Sequence, residues 1–185
     1  TATIQRVGKL IDGLLVFASA GGYILPGEWG QSHEARVGDV LSGVVQDLGL
    51  EAEMKNIQLD YEPPDPALVV ACDPGVLISI MTNLISNAMK FMGDAVVRRV
   101  TIRARQVSRD VQFEVSDTGP GIGPELRERV FEPYVHGAST AAGFGLGLAT
   151  VRRLVEAHGG EVSLESSPEG GCRFWFRLPV WTESR

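Results

Sequence analysis

Hydrophobic residues recur at helical spacing in several parts of this chain and alternate with polar residues in others. At the N-terminal end they fall three and four positions apart, as in a helix with a narrow apolar seam, at Ile4, Val7, Ile11, Leu14 and Ala18. This seam predicts a helix over residues 1–24 that packs on a second helix or a second copy, and packing on its own domain is the alternative. "GG" at 21–22 and "PGEWG" at 26–30 interrupt the pattern and predict a linker over residues 25–35.

Residues 36–185 carry helical and strand patterns in mixed order. The helical patterns cover 37–50, 75–91, 123–131 and a stretch from about 147 to His158. Alternating or short apolar runs predict strands at 57–62, 68–73, 98–107, 110–117, 161–167 and 172–180, with a hairpin that turns near Ser108. A long antiparallel run beside several helices is typical of an α+β fold in which helices and a sheet form two layers.

Composition limits the classes of protein that fit. The chain has 185 residues, 44% hydrophobic and 22% charged, which suits one ordinary domain with a sizeable core. A formal net charge of −6 and the lack of a Lys/Arg block argue against nucleic acid as a partner. Cys72 and Cys172 form neither a CxxC pair nor a disulfide framework. The apolar stretch "LLVFASAGGYIL" is too short to span a bilayer, so we expect a cytoplasmic chain and leave a membrane-anchored parent protein open.

The helix predicted over 75–91 carries polar residues where a buried helix prefers apolar ones. Asn83, Asn87 and Lys90 are four and three positions apart, so they share one face of the helix. An unpartnered buried amide costs about 1–3 kcal/mol, so this polar strip needs partners. A polyphosphate with its Mg²⁺ would supply them, because amide oxygens suit Mg²⁺ and an ammonium group suits phosphate. A strip that simply faces water is the alternative.

Two glycine clusters lie at the junctions of predicted elements. "DTGPGIG", residues 117–123, follows a strand, and its aspartate can accept a hydrogen bond from an exocyclic amine while the glycines let backbone approach a flat ring. "GFGLGLA", residues 143–149, opens a helix, where free N–H groups and the helix dipole favour phosphate. Together with the polar strip, these clusters predict a site for a nucleotide.

The order of these motifs resembles the ATP-binding domain of sensor histidine kinases, within the wider fold shared with DNA gyrase. Residues 83–91 resemble the N box of that family, 117–123 its first glycine box, "FEPY" at 131–134 its F box, and 143–148 its second glycine box. The resemblance covers about residues 36–180. It implies a two-layer α/β sandwich, the Bergerat ATP-binding fold, with a mixed sheet of about five strands covered by about three helices. Residues 1–24 would be a remnant of the dimerisation hairpin.

The resemblance also implies roles for individual residues toward ATP and Mg²⁺. Asn87 would coordinate Mg²⁺, Asn83 would lie close to the metal, and Lys90 would contact phosphate oxygens, which makes these three the predicted catalytic residues. Phe91 would lie against the nucleotide, and Asp117 would accept a hydrogen bond from the adenine amino group. The other implied contacts, around adenine and then along the triphosphate, are Gly119, Gly121, Ile122, Gly143, Phe144, Gly145, Leu146, Gly147 and Leu148.

Asn83 bears on the class of reaction. In the ATPase and serine kinase relatives this position usually holds Glu, which can act as a general base on water or a hydroxyl. An amide cannot, whereas a neutral imidazole already has a free lone pair. The resemblance therefore favours histidine as the phosphoryl acceptor, with a purely local hydrogen bond of Asn83 as the alternative. A hydrolytic ATPase and a nucleotide-binding interaction module without transfer activity remain the competing functions.

The three histidines of the chain are weaker candidates. His33, in "HEAR", resembles the start of a phosphoacceptor box but follows the predicted hairpin helix, so we expect it in the linker. The resemblance implies a mobile lid from about Glu132 to Gly143, which contains no Lys or Arg. His136 is the one candidate cation in it, and a solvated histidine is the preferred interpretation. His158 precedes two glycines and predicts a helix cap. The resemblance thus implies an acceptor helix of the parent kinase outside this chain, a downstream response regulator, and optional homodimerisation through residues 1–24.

Overall fold

A computed structural model describes residues 34–135 and 146–182 of the chain. Its elements run β1 (Ala35–Arg36), α1 (Val37–Met54), β2 (Gln58–Tyr61), β3 (Val69–Val70), α2 (Pro74–Lys90), β4 (Arg99–Val107), β5 (Asp110–Asp117), α3 (Pro124–Arg127), α4 (Gly147–Ala157), β6 (Glu161–Ser166) and β7 (Cys172–Pro179). The helix predicted over 1–24 and nearly all of the predicted linker lie outside the described residues.

Five strands form one mixed sheet in the order β2-β4-β5-β7-β6. β2 runs parallel to β4, and the other neighbouring strands are antiparallel. The predicted hairpin is β4–β5, and it turns at Ser108, whose φ of 60° is in the left-handed region that tight turns use. The predicted sheet of about five strands is therefore confirmed.

The helices α1, α2 and α4 cover one face of this sheet. Along β4, β5 and β7 every second side chain points toward them, because residues alternate between the two faces of a strand. The rings of Phe113 and Phe176 on neighbouring strands stack at a centroid distance of 4.6 Å in the middle of this core. The opposite face carries a row of ion pairs, including that of Arg177 with Glu161 at 3.2 Å. The predicted two-layer α+β sandwich is confirmed.

Three predicted boundaries differ from the structure. α1 continues one turn past 50 to Met54 and stops before Asn56, whose φ is 53°. Only Val69–Val70 of the strand predicted at 68–73 is a strand, and it pairs with β1 in a separate two-stranded sheet. Its end has a local cause: the Asp73 carboxylate already accepts from the Gly75 N–H at 2.7 Å as the cap of α2. The short helix predicted over 123–131 is limited to Pro124–Arg127.

Candidate nucleotide-binding site

The helix α2 presents the polar strip because its opposite side is fixed in the core. Pro74 occupies the first helical turn, where the missing N–H costs nothing, and Lys90 is in the last turn, where a positive charge suits the helix dipole. The fully buried residues of α2 face the sheet and α1, and they are Leu77, Ile80, Met81, Leu84 and Ile85. Asn83 and Asn87 are therefore left half-buried on the side that faces α4.

The beginning of α4 lies directly against this strip. A Cβ placed on Gly147 would be 2.9 Å from Asn83 Oδ1 and 3.6 Å from Asn87 Nδ2, so the close approach of the two helices requires glycine. Leu146, the cap residue of α4, makes no side-chain cap hydrogen bond. The first N–H groups of α4 therefore have no cap from Leu146, and they lie beside two amide side chains. This arrangement can hold a phosphate and a metal ion together.

The two asparagines of the strip differ in their hydrogen bonds. Asn83 Nδ2 donates to the Ser79 carbonyl oxygen at 2.8 Å, one turn earlier in α2. Within the described residues, the amide of Asn87 makes no hydrogen bond to protein atoms. A half-buried amide without a protein partner is costly unless a ligand or water satisfies it. In the described part of the chain neither asparagine oxygen has a protein partner, so both Oδ1 atoms are open to a metal ion, and Asn87 is the asparagine whose whole amide is unpaired.

Lys90 and Phe91 lie together at the end of α2. The Lys90 Nζ is 4.8 Å from the centroid of the Phe91 ring, and Lys90 forms no ion pair with any carboxylate in the described part of the chain. Burial lowers the pKa of Lys90, and the positive charge of Lys55 lowers it further. Phe91 is 40% exposed, so its ring is open to a ligand. An anion such as a phosphate would supply the negative charge that Lys90 lacks.

Asp117 ends β5 on the face that points into the core. Asp117 is 7% exposed, and its Oδ1 accepts hydrogen bonds from the N–H groups of Gly119 at 2.9 Å and Cys172 at 3.2 Å. Burial raises the pKa of Asp117, and the two backbone hydrogen bonds oppose that rise. Because both bonds go to Oδ1, the second carboxylate oxygen remains as an acceptor for an exocyclic amine.

The turn after Asp117 joins the two ends of the site. A Cβ on Gly119 would be 3.0 Å from the Phe91 carbonyl oxygen, so the turn touches the residue that directly follows Lys90 of the polar strip. Gly121 has a φ of 77°, which a side chain disfavours. Ile122 is partly buried against the core. The structure thus brings the predicted adenine end next to the predicted phosphate end.

Two contributors to this turn were missed by the sequence prediction. Gly171 has a φ of 72°, and a Cβ there would be 2.3 Å from both the carbonyl oxygen and Oδ1 of Asp117. Thr118 donates its hydroxyl to the Val97 carbonyl oxygen at 2.6 Å and accepts from the Arg99 N–H at 3.0 Å, which fixes the turn to the start of β4. The pair Gly170–Gly171 before an alternating strand signals a tight turn, but only the pairing of β5 with β7 shows which residue it approaches.

The remaining predicted residues fall into two groups. Leu146 is buried and Leu148 packs partly against the core, and their contacts with the triphosphate stay predictions. His158 is the cap residue at the end of α4, as predicted, and its Nδ1 lies 2.8 Å from the Leu154 carbonyl oxygen. The predicted contacts and histidines that lie outside the described residues are Gly143, Phe144, Gly145, His33 and His136.

The F box and the first part of the predicted lid have structural contacts. Phe131 is buried and meets Phe174 edge to face at a centroid distance of 6.2 Å. Glu132 pairs with Arg129 at 3.1 Å. Tyr134 is exposed and has a φ of 63°, an uncommon conformation for an aromatic residue.

Comparison with known proteins identifies the family. Residues 72–182 match the family model described as histidine kinase-, DNA gyrase B-, and HSP90-like ATPase. The chain belongs to this family. The predicted N box, the Asp117 turn and the described part of the second glycine box all lie inside the matched range. The family is one of ATPases, which supports ATP as the ligand of the site.

Its relatives are sensor kinases. The adaptive-response sensory kinase SasA of Prochlorococcus marinus is 34% identical over 80% of this chain and 39% of its own length. The sensor protein KdpD of Escherichia coli is 32% identical over 97% of this chain and 19% of its own length. The chain therefore spans well under half of the curated relatives that it matches. Within the family, it represents the ATP-binding catalytic domain of the sensor histidine kinase type.

Solved structures agree with this assignment. Full-length ShkA, whose crystal structure is described as a complex with AMPPNP, gives a TM-score of 0.79 at 31% identity over 97% of this chain and 37% of that chain. The catalytic domain of the histidine kinase ThkA gives a TM-score of 0.71 at 26% identity over 79% of this chain and 93% of that one.

In 34–135 and 146–182, no helix is both long and apolar enough to cross a bilayer.

Proposed function

We propose that the chain binds Mg-ATP between the polar strip and Asp117 and transfers the γ-phosphoryl group to a histidine on an acceptor helix. The observation that carries this proposal is the contact of Gly147 with Asn83 and Asn87, because it joins a helix start that the Leu146 side chain does not cap to the face of α2 that carries both amides. The family match and the sensor kinases among the relatives support the same reaction.

The residues of the site fit a magnesium nucleotide. The free amide oxygen of Asn87 is a hard ligand of the type Mg²⁺ prefers, and Asn83 lies one turn away. Lys90 has an unpaired charge for phosphate oxygens, and Asp117 has an open acceptor for the adenine amino group. Bound Mg²⁺ would neutralise charge on the phosphate oxygens during transfer. The chain's own groups bind and orient the nucleotide.

The amide chemistry of Asn83 favours histidine as the acceptor. Its Nδ2 is bonded to the Ser79 carbonyl oxygen, and an amide cannot take a proton from water or a hydroxyl. A neutral imidazole attacks with its own lone pair, so the bond from nitrogen to the γ-phosphorus forms while the bond to the β-phosphate oxygen breaks and ADP leaves. Positioning and charge neutralisation are sufficient for this step.

The surrounding protein completes this proposal. Residues 1–24 are proposed as the end of the second hairpin helix, 25–35 as the linker and 36–185 as the catalytic domain. The acceptor histidine is proposed to lie on a helix of the parent kinase, in a homodimer that the N-terminal helix helps to form. A response regulator is the proposed receiver of the phosphoryl group downstream.

Phosphoryl transfer in trans tests the proposal. The chain is mixed with Mg-ATP labelled at the γ-phosphate and with a separate dimer of acceptor helices from a sensor kinase. We expect acid-labile phosphate on the acceptor dimer, reduced about 100-fold or more in Asn87→Ala, and unchanged in the control Asn56→Ala, an exposed asparagine after α1. Release of free phosphate without labelled acceptor would instead show an ATPase. Binding without either product would show an interaction module.

A further inference from the structure

The turn that carries Asp117 has few groups with which to bond to the rest of the fold. Residues 118–124 read TGPGIGP, so Thr118 is the one residue of this segment with a polar side chain. The two prolines of the segment have no N–H group to donate. The second half of the segment is held from outside, because Arg127 Nε donates to the Ile122 carbonyl oxygen at 2.8 Å. For the first half, next to Asp117, Thr118 is the side chain that can provide such a bond.

Thr118 makes hydrogen bonds to the neighbouring chain at the start of β4 with both its backbone and its side chain. Its N–H donates to the Arg99 carbonyl oxygen at 3.2 Å. Its hydroxyl accepts from the Arg99 N–H at 3.0 Å and donates to the Val97 carbonyl oxygen at 2.6 Å. Because the hydroxyl donates and accepts at the same time, these bonds fix the direction of the side chain as well as its place. Valine has nearly the shape of threonine but can form neither hydroxyl bond.

The loop between α2 and β4, which receives the Thr118 hydroxyl, has attachments of its own. Arg98 donates from its guanidinium group to the Lys55 carbonyl oxygen at 3.3 Å and to the Gly93 carbonyl oxygen at 2.6 Å, which ties the loop to the end of α1. Met92, in the same loop, is fully buried. The hydroxyl of Thr118 therefore bonds the turn to a segment that is already fixed to α1 and to the core.

The backbones of the turn and the loop lie in close contact. A Cβ on Gly119 would be 3.0 Å from the Phe91 carbonyl oxygen, and a Cβ on Gly93 would be 3.4 Å from Pro120. Without the hydroxyl bonds, packing alone would hold the first half of the turn against the loop. The Asp117 carboxylate accepts from the Gly119 N–H at 2.9 Å, so a shift of the turn would also shift the carboxylate.

We propose that Thr118 is a positioning residue for recognition of the adenine amine, because its hydroxyl holds the turn so that the second carboxylate oxygen of Asp117 keeps its direction. This inference rests on the proposed function, in which Asp117 accepts from that amine. The phosphate end is formed by other residues, on α2 and α4, and keeps its contacts when the hydroxyl is lost. Loss of the hydroxyl should therefore reduce the affinity that comes from the amine and spare the affinity that comes from the triphosphate.

A nucleotide without the amine tests the proposal. The probe is purine riboside triphosphate, which is ATP with hydrogen in place of the exocyclic amine, and its binding is compared with that of ATP by calorimetry. The unchanged chain should prefer ATP. Thr118→Val should weaken binding of ATP about tenfold and leave binding of the probe nearly unchanged, so that most of the preference is lost. Thr118→Ser, which keeps the hydroxyl, should keep the preference.

The variant Asp117→Asn separates a positioning role from a purely structural one. If Thr118 acts through Asp117, then Thr118→Val should add no further loss of ATP affinity in the Asp117→Asn protein, whereas a structural role would add the same loss in both. Thr101→Val is the matched control, because Thr101 lies on the face of β4 that points away from the core. It should leave the preference for ATP unchanged.

Hydrogen exchange gives a readout that needs no nucleotide. The Gly119 amide, which bonds Asp117, should exchange faster in Thr118→Val than in Thr101→Val, while circular dichroism shows that both proteins are folded. Equal losses for ATP and the probe, a lost preference in Thr118→Ser, a loss that persists in Asp117→Asn, or an unaltered Gly119 amide would overturn the proposal. An unchanged chain that binds ATP no better than the probe would contradict the role of Asp117 itself, and this inference with it.

Discussion

Asp117 must keep an acceptor oxygen available while it lies almost out of reach of water. Burial disfavours its charged form, and two backbone N–H groups compensate by bonding one oxygen of the carboxylate. A binding group of this kind is held at a cost to the stability of the fold. The ionised form is the stronger acceptor for the adenine amine, because hydrogen bonds to a charged group are stronger than those to a neutral one.

The pH dependence of binding should reveal this cost. The pKa of Asp117 is raised above its ordinary value of 3.8, so nucleotide affinity should fall as the pH drops through that raised pKa. The contribution of Asp117 to folding stability changes with pH in the opposite direction to the affinity. It is fully present below the ordinary pKa and is lost as the pH rises through the raised pKa. In Asp117→Asn the affinity should drop about 10- to 100-fold at neutral pH, and the unfolding free energy should be retained.

Calorimetry of nucleotide binding across the acid range, together with denaturant unfolding, measures both effects. Asp110→Asn, at the other end of β5, is the matched control and should leave affinity unchanged. Titration of the nucleotide itself is common to all three proteins and cancels in the comparison. A pH step that persists in Asp117→Asn would assign the titration to another group.

Gly171 offers a second test at the scale of one residue, because its neighbour is a control. Both Gly170 and Gly171 have positive φ, so the backbone conformation alone should make alanine cost about 1 kcal/mol of stability at either position, and the collision at Gly171 adds to that cost. Only at Gly171 does the added Cβ meet Asp117, whereas at Gly170 the nearest atom is 3.9 Å away. Gly171→Ala should therefore lose nucleotide affinity in calorimetry while Gly170→Ala keeps it. Equal affinity of the two variants would remove Gly171 from the site.

At the scale of elements, the close spacing of α2 and α4 brings the start of α4 next to the asparagines that form the phosphate end of the site. Glycine is a poor residue in the first turn of a helix, and alanine there would ordinarily stabilise by up to about 1 kcal/mol. At Gly147 the added Cβ would be 2.9 Å from Asn83 Oδ1, so the helices would have to separate or the amide would have to turn. Glycine at position 147 thus permits the close approach of α2 and does not serve the stability of α4.

Gly147→Ala should therefore weaken binding of Mg-ATP about tenfold or more, without the gain in stability that helix propensity alone predicts. Gly43→Ala and Gly49→Ala on α1, where an added Cβ meets no atom within 4 Å, are the controls. They should raise the unfolding free energy by about 0.5–1 kcal/mol and keep affinity unchanged. If Gly147→Ala gained stability and kept its affinity, the contact between the two helices would not matter to the site.

The elements also show what the sequence could and could not predict. The helices α1 and α2 and the hairpin β4–β5 were predicted within a few residues, because their apolar residues follow one period throughout. The strand at 68–73 was overextended, because an apolar run does not show that Asp73 will cap the next helix. Gly171 was missed for a similar reason: its role depends on the pairing of β5 with β7, which no local pattern encodes.

At the scale of the whole molecule, the site connects elements that are distant in sequence. The polar strip lies on α2, the carboxylate ends β5, and Gly171 and Cys172 come from the turn before β7. The contact of Gly119 with Phe91 places both ends on one continuous surface. A ligand that spans these elements should stabilise the entire fold, because it binds only when all of them are in place.

Thermal unfolding should therefore report nucleotide binding as a global effect. A non-hydrolysable ATP analogue at about 100 times its dissociation constant should add about 2.7 kcal/mol to the unfolding free energy, and the midpoint should rise accordingly. If Asn87 holds a metal ion, removal of Mg²⁺ by a chelator should reduce the shift in the unchanged chain but make little difference in Asn87→Ala. Adenosine, which has no phosphates, should give a small shift that is indifferent to Mg²⁺ but lost in Asp117→Asn. A chelator effect of the same size in the Asn87→Ala protein would place the metal ion on other residues.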